Sequence, residues 1–147
     1  MGFVGKRFND MSDEEMLHTL EEHHRTIRAG LDELRFQCAA PYPNSGDLDA
    51  ARSRLSGASL ARSRFVSEEV VPRLLEEADA DLRDELSKLL SVFQAKRQIS
   101  YAHVMTWTRV TIDADWEGYR AAAALIWTMM ENQIDRERRY LGDRLRP

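Results

Sequence analysis

Residues 17–38 read LHTLEEHHRTIRAGLDELRFQC. Apolar residues fall at Leu17, Leu20, Ile27, Leu31, Leu34 and Cys38, in alternating steps of three and four. That spacing collects them on one face of an α-helix, the side that turns to a core. One member of the series is His24. A histidine on a buried seam is either a metal ligand or a hydrogen-bonded core group, and the choice between them is the main functional question this chain poses.

Upstream, Ser12 and Glu15 form a capping-box pattern, and Asp13 and Glu14 suit the positive end of a helix dipole. A first helix is therefore predicted from about Ser12 to Cys38, ~40 Å long, preceded by a loose arm over 1–11. Downstream, PYPNSG (41–46) holds two prolines and a glycine and must turn. A second helix is capped by Asn44 or Ser45 and runs to about Glu77, with its seam at Leu48, Ala51, Leu55, Ala58, Arg62, Phe65 and Glu69. Pro72 lies inside that pattern and is expected to kink or tighten the last turn. After the acidic connection EEADAD (76–81), a third helix spans about Asp81 to Thr108, with Leu82, Leu86, Leu89, Phe93, Lys96, Ser100, His103 and Trp107 on its seam. RVTI (109–112) and Asp113 read as a third turn. The last helix starts near Asp113 or Asp115 and ends at Gly142 as its C-cap. Its seam is Trp116, Tyr119, Ala123, Ile126, Met130, Gln133, Glu137 and Tyr140. Long amphipathic helices joined by short connections predict an all-α fold, an up-down-up-down antiparallel four-helix bundle, as a single domain over 1–147.

Composition narrows the function classes. The chain has 147 residues, 43% hydrophobic and 31% charged, with a net charge of −4 and its basic residues spread throughout. A nucleic-acid surface wants a basic face, so none is expected. No run approaches the ~18 apolar residues that span a bilayer, and MGFVGKRFNDMS lacks a signal-peptide core. No membrane partner is expected. Cys38 is the only cysteine, which excludes an internal disulfide and thiolate metal clusters and makes a reducing cytoplasm the expected setting.

The polar residues on the seams carry the information: His24, Arg62, Glu69, Lys96, His103, Gln133 and Glu137. Counted along antiparallel helices, His24 and Arg62 are level, with Phe93 and Met130 to Gln133 in the same layer. Glu137 and Glu69 lie lower, by ~6–10 Å, and His103 lies roughly 15 Å above His24. The two histidines should not share a metal. His18 should face solvent and His23 should be partly exposed. Trp107, Trp116, Tyr119 and Trp127 gather toward the end of the bundle nearest the third turn.

These residues also carry a family resemblance. EEHHRTIRAGLDEL (21–34) resembles the first helix of hemerythrin-like (HHE cation-binding) domains. SEEVVPRLLEEA (67–78) looks like the end of their second helix, and DWEGYRAAAALI (115–126) with ENQIDRERRYL (131–141) is similar to their fourth. The resemblance covers about residues 12–143. It implies a bundle that holds a pair of irons through histidines and two bridging carboxylates, with a His-x-x-x-Glu pair on the second and fourth helices. This sequence departs from that pattern at most positions. His24 matches the first-helix histidine. Counting back from Pro72 puts Arg62 where a histidine belongs and Val66 where a glutamate belongs; a shift to Arg64 and Glu68 restores only the acid. On the third helix the layer holds Leu89, Leu90 and Phe93. On the fourth, Gln133-x-x-x-Glu137 keeps the acid and replaces the histidine.

Arg62 weighs most. A guanidinium cannot ligate a cation and stays charged. It would repel iron and can instead pair with Glu137, leaving His24 and Gln133 to use the remaining hydrogen bonds. The former-site polar cluster is thus His24, Arg62, Gln133 and Glu137. If a metal is retained, its ligands are His24, Glu69 and Glu137, an oxygen-rich set suited to iron, manganese or zinc. No catalytic triad, phosphate loop or His-Glu-x-x-His pattern occurs, so no enzymatic activity is expected. The expected function is a non-catalytic binding or regulatory module with an unidentified protein or small-molecule partner and no cofactor. The competing expectation is a non-haem iron protein sensing or binding O2 or NO at an altered site. A homodimer through helix faces is compatible with either.

Overall fold

The computed structural model describes residues 10–146; the arm expected over 1–11 lies almost wholly outside them. Among the described residues there is no strand, and no helix is long and apolar enough to cross a membrane. Helix α1 spans Asp13–Cys38. Its capping box is formed: Ser12 Oγ accepts from the Glu15 amide at 3.0 Å and the Glu15 carboxylate accepts from the Ser12 amide at 3.3 Å. Asn44 caps α2, Ser45–Phe65, by accepting from the Asp47 amide at 3.2 Å. Helices α1 and α2 approach closely at Gly30, where a Cβ would stand 3.2 Å from Leu55 Cδ1 and 3.6 Å from Leu55 Cα. The absent side chain lets the two helices meet there.

Beyond Phe65 the helix widens into a π-helical segment, Val66–Val70, and continues as α3, Val71–Leu75. The turn before Pro72 opens instead of tightening. Proline has no N–H and its ring presses on the carbonyl four residues back; the Val71 amide bonds the Val66 carbonyl, five back, which makes room. A π turn uses an extra residue, so a later residue reaches the core. Val66 and Val70 are fully buried, while Glu69, expected on the seam, is only half-buried.

Asp79 starts α4, Ala80–Thr106, by accepting from the Leu82 amide at 2.8 Å. The expected turn at 109–112 is a short helix, α5, Arg109–Ala114. Thr108 and Thr111 cap each other reciprocally, and Ile112 is buried, so local caps and one apolar anchor outweigh the β-branched composition. Asp115 caps α6, Trp116–Glu137, through the Gly118 amide at 2.9 Å. A Cβ on residue 118 would overlap the Asp115 carboxylate, so a larger residue there would displace the capping side chain. Gly142 does not end this helix. It belongs to a second π-helical segment, Arg138–Gly142, has φ −58°, and leads into α7, Asp143–Leu145. The extra residue again moves the seam: Leu141 is buried and Tyr140 is exposed.

Cross-helix contacts set the directions. Arg73 bonds Asp13 while Arg54 bonds Glu33, so α1 runs opposite to the α2–α3 rod. Glu85 pairs with Arg144 while His103 packs on Tyr119, so α4 runs opposite to α6. Two apolar clusters fill the interior. One gathers Met16, Leu20, Phe65, Leu86, Phe93 and Leu141; the other gathers Ile27, Leu31, Leu55, Ile112, Tyr119 and Ile134. Along α1, α2 and α6 a polar residue stands at the boundary between them: His24, Arg62 and Glu137.

Candidate functional site

That boundary is a desolvated polar layer. His24, Arg62, Gln133 and Glu137 are 1%, 5%, 2% and 0% exposed. Gln133 and Glu137 are one helical turn apart on α6, which aims both side chains the same way. Glu137 Oε1 lies 2.7 Å from His24 Nε2, and Oε2 accepts from Arg62 Nη1 at 2.9 Å and from Gln133 Nε2 at 2.8 Å. A carboxylate has no proton to give, so the bond to His24 requires its N–H on Nε2. His24 Nδ1 and Arg62 Nε are buried with no hydrogen-bond partner among the described residues. Arg62 also donates to Ser59 Oγ at 3.3 Å through Nη2, and its guanidinium lies 5.2 Å from the Phe93 ring centre.

The network extends to α4. Lys96 Nζ donates to Gln133 Oε1 at 2.7 Å. Lysine has no acceptor and carboxylate no donor, so both ends of the Gln133 amide are assigned by chemistry. Burial holds the Lys96 ammonium below its ordinary pKa; repulsion from Arg136 and Arg62 adds to this, and Glu137 offsets part of it.

The other sequence candidates lie apart from this layer. Glu69, on the first π-helical segment, makes no hydrogen bond or ion pair with the layer. Among the described residues, no group of three or more His, Cys, Asp and Glu side chains is placed to hold a metal ion. His23 is half-buried against Phe65, ring centres 5.2 Å apart, and burial lowers its pKa, with His24 and Arg62 adding to the effect. His18 faces solvent and pairs with Glu22 at 3.0 Å. His103 packs on the Tyr119 ring at 5.8 Å, and burial lowers its pKa, reinforced by Arg52.

Around Tyr119 the aromatic residues do gather. Trp107 meets its ring edge-on at 5.7 Å and Trp116 stacks at 5.8 Å, while Trp127 stands away and packs on Arg35 at 5.4 Å. Sequence reading missed two contributors. Arg52 lies 5.4 Å from the Tyr119 ring centre, and Ser59 bonds Arg62. Each stands one residue C-terminal to a seam position of α2 (Ala51 and Ala58), so a wider helix face would have included them.

Cys38 ends this region. Burial pushes its thiol up to about 11, and Arg120 and Arg52 offset only part of that. We expect the native protein to resist iodoacetamide at about pH 8, where thiolate is the reactive form. Mass spectrometry should find complete alkylation only after denaturation.

Comparison with protein-family models, with curated proteins and with solved structures finds no match to this chain.

Proposed function

We propose that this chain is a hemerythrin-like, up-down-up-down antiparallel four-helix bundle whose di-iron site is largely lost, and that it works as a non-catalytic binding or regulatory module. One observation carries the reading: both oxygens of Glu137 are taken up by protein donors, with the Arg62 guanidinium 2.9 Å away. A di-iron centre needs several histidines and bridging carboxylates. Here His24 and Glu137 alone adjoin, and a permanent cation occupies the layer. These residues do not fit an iron pair. The alternating helix directions support the bundle assignment, and the single cysteine supports a reducing, cytoplasmic setting.

A second reading rests on the same contact. His24 and Glu137 form a two-residue remnant that could keep one iron for sensing O2 or NO. Metal analysis of protein purified without chelator, with an absorbance spectrum under air, separates the two. We expect iron far below one equivalent and a featureless visible region. Stoichiometric iron with oxo-bridge bands would overturn the binding-module reading and establish the second.

A further inference from the structure

A cavity of about 300 Å³ opens between α2, α4 and α6, beside the polar layer. Its origin lies in the sequence of α4. That helix buries Leu86, Leu89 and Phe93, but its next seam residues are Lys96 and Ser100, and nothing later in the helix is fully buried. Opposite them α2 presents the small side chains of Ser56, Ser59 and Ser63, flanked by Leu60 and by Arg62, which is held by Glu137. Apolar packing therefore stops at Phe93 and leaves a space within the range of small-molecule sites.

The walls differ in character. Phe93, Val104, Met129 and Met130 make an apolar side. Arg62, Lys96 and Arg97 supply the charge, and no acidic residue lines the space. Arg62 is held by Glu137. Lys96 uses one donor, on Gln133, and has no ion pair among the described residues. Arg97 is exposed at the cavity and has no hydrogen bond or ion pair among the described residues. Two cations thus border a partly apolar space without an ion-pair partner of their own among the described residues. A half-buried ammonium gains most from an anion, because low surrounding polarity strengthens the pair.

We propose that this cavity binds a small organic carboxylate, its charged end on Lys96 and Arg97 and its apolar body along Phe93, Met129 and Met130. The proposal rests on the binding-module reading and names its ligand class. Through Gln133, which bonds Lys96 on one side and Glu137 on the other, an occupant would touch the polar layer without entering it.

Octanoate is the probe, with octanamide as its uncharged counterpart and inorganic phosphate as the competing anion, read by calorimetry and by shifts in amide NMR signals. Saturable octanoate binding is expected, with octanamide and phosphate silent. Lys96→Met should weaken octanoate about 10-fold or more, the loss of one charged hydrogen-bond partner. It should leave circular dichroism unchanged, because Lys96 is only half-buried. Ser100→Phe, which fills the cavity and keeps every charge, should block octanoate as well. Equal binding of octanamide, undiminished binding to either variant, phosphate binding without octanoate, or no saturable octanoate binding would each overturn the proposal. Iron is measured on the same samples. Iron-free protein that ignores octanoate defeats this proposal alone, whereas stoichiometric iron defeats the reading beneath it.

Discussion

Arg62→Met should destabilise this protein by about 3–5 kcal/mol, because it strands the fully buried Glu137 carboxylate without its permanently charged partner. The reason is geometric. Glu137 is 0% exposed, and of its three partners only Arg62 carries a permanent charge. His24 and Gln133 would still donate, but neither supplies the permanent charge that Arg62 does. The pair itself is not a large source of stability, since desolvating both ions takes back most of their attraction. Arg62→Met combined with Glu137→Gln should therefore recover most of the loss. The amide oxygen can still accept from His24, and the unpaired carboxylate is gone. Urea unfolding of the wild type, both single variants and the double variant closes the cycle. A single-variant cost below about 1 kcal/mol would mean that the layer is wet, and that water can take the place of the protein donors around Glu137.

Tyr119→Ala should cost a similar amount, about 3–5 kcal/mol, by emptying the space between Trp107, Trp116, His103 and Arg52. Tyr119→Phe should behave oppositely. The phenol oxygen is buried with no hydrogen-bond partner among the described residues, so removing it relieves a desolvation cost and should be neutral or stabilising by about 1 kcal/mol. The pH dependence gives a second readout. Burial pushes the Tyr119 phenol up to about 12, with Arg52 pulling it partly back. The unfolded phenol ionises near about 10. Between those values the folded chain holds a proton that the unfolded chain has lost, so stability falls as pH rises through the window. Tyr119→Phe should flatten that alkaline loss, measured by urea unfolding at a series of pH values. An unchanged slope would mean that the phenol reaches solvent.

The residues in these predictions, Arg62, Glu137 and Tyr119, all fall on helix seams in the sequence. Arg62 and Glu137 stand out in the sequence because helical spacing is local: a charged side chain on an apolar seam shows itself within a few turns. The capping residues Ser12 and Asn44 are equally local, since each acts on an amide three residues away. Glu69 misled because the seam was extended at a constant period. The π turn before Pro72 spends an extra residue and carries Val70 inward in its place. Tyr140 gave way to Leu141 at the second π turn for the same reason. Period counting has no term for a local change of pitch.

By itself the sequence determined that the chain is helical, where its long helices begin and, Glu69 apart, which polar residues break its seams. Those properties depend on neighbours within a few residues. The sequence also grouped His24, Arg62 and Gln133 with Glu137; only the tertiary structure decided which oxygen each donor takes, that Lys96 reaches them through the Gln133 amide, and that small serines on α2 face a polar stretch of α4 across an open cavity. Those depend on the separation and rotation of whole helices, which summed packing of the two apolar clusters sets and no single stretch of residues encodes.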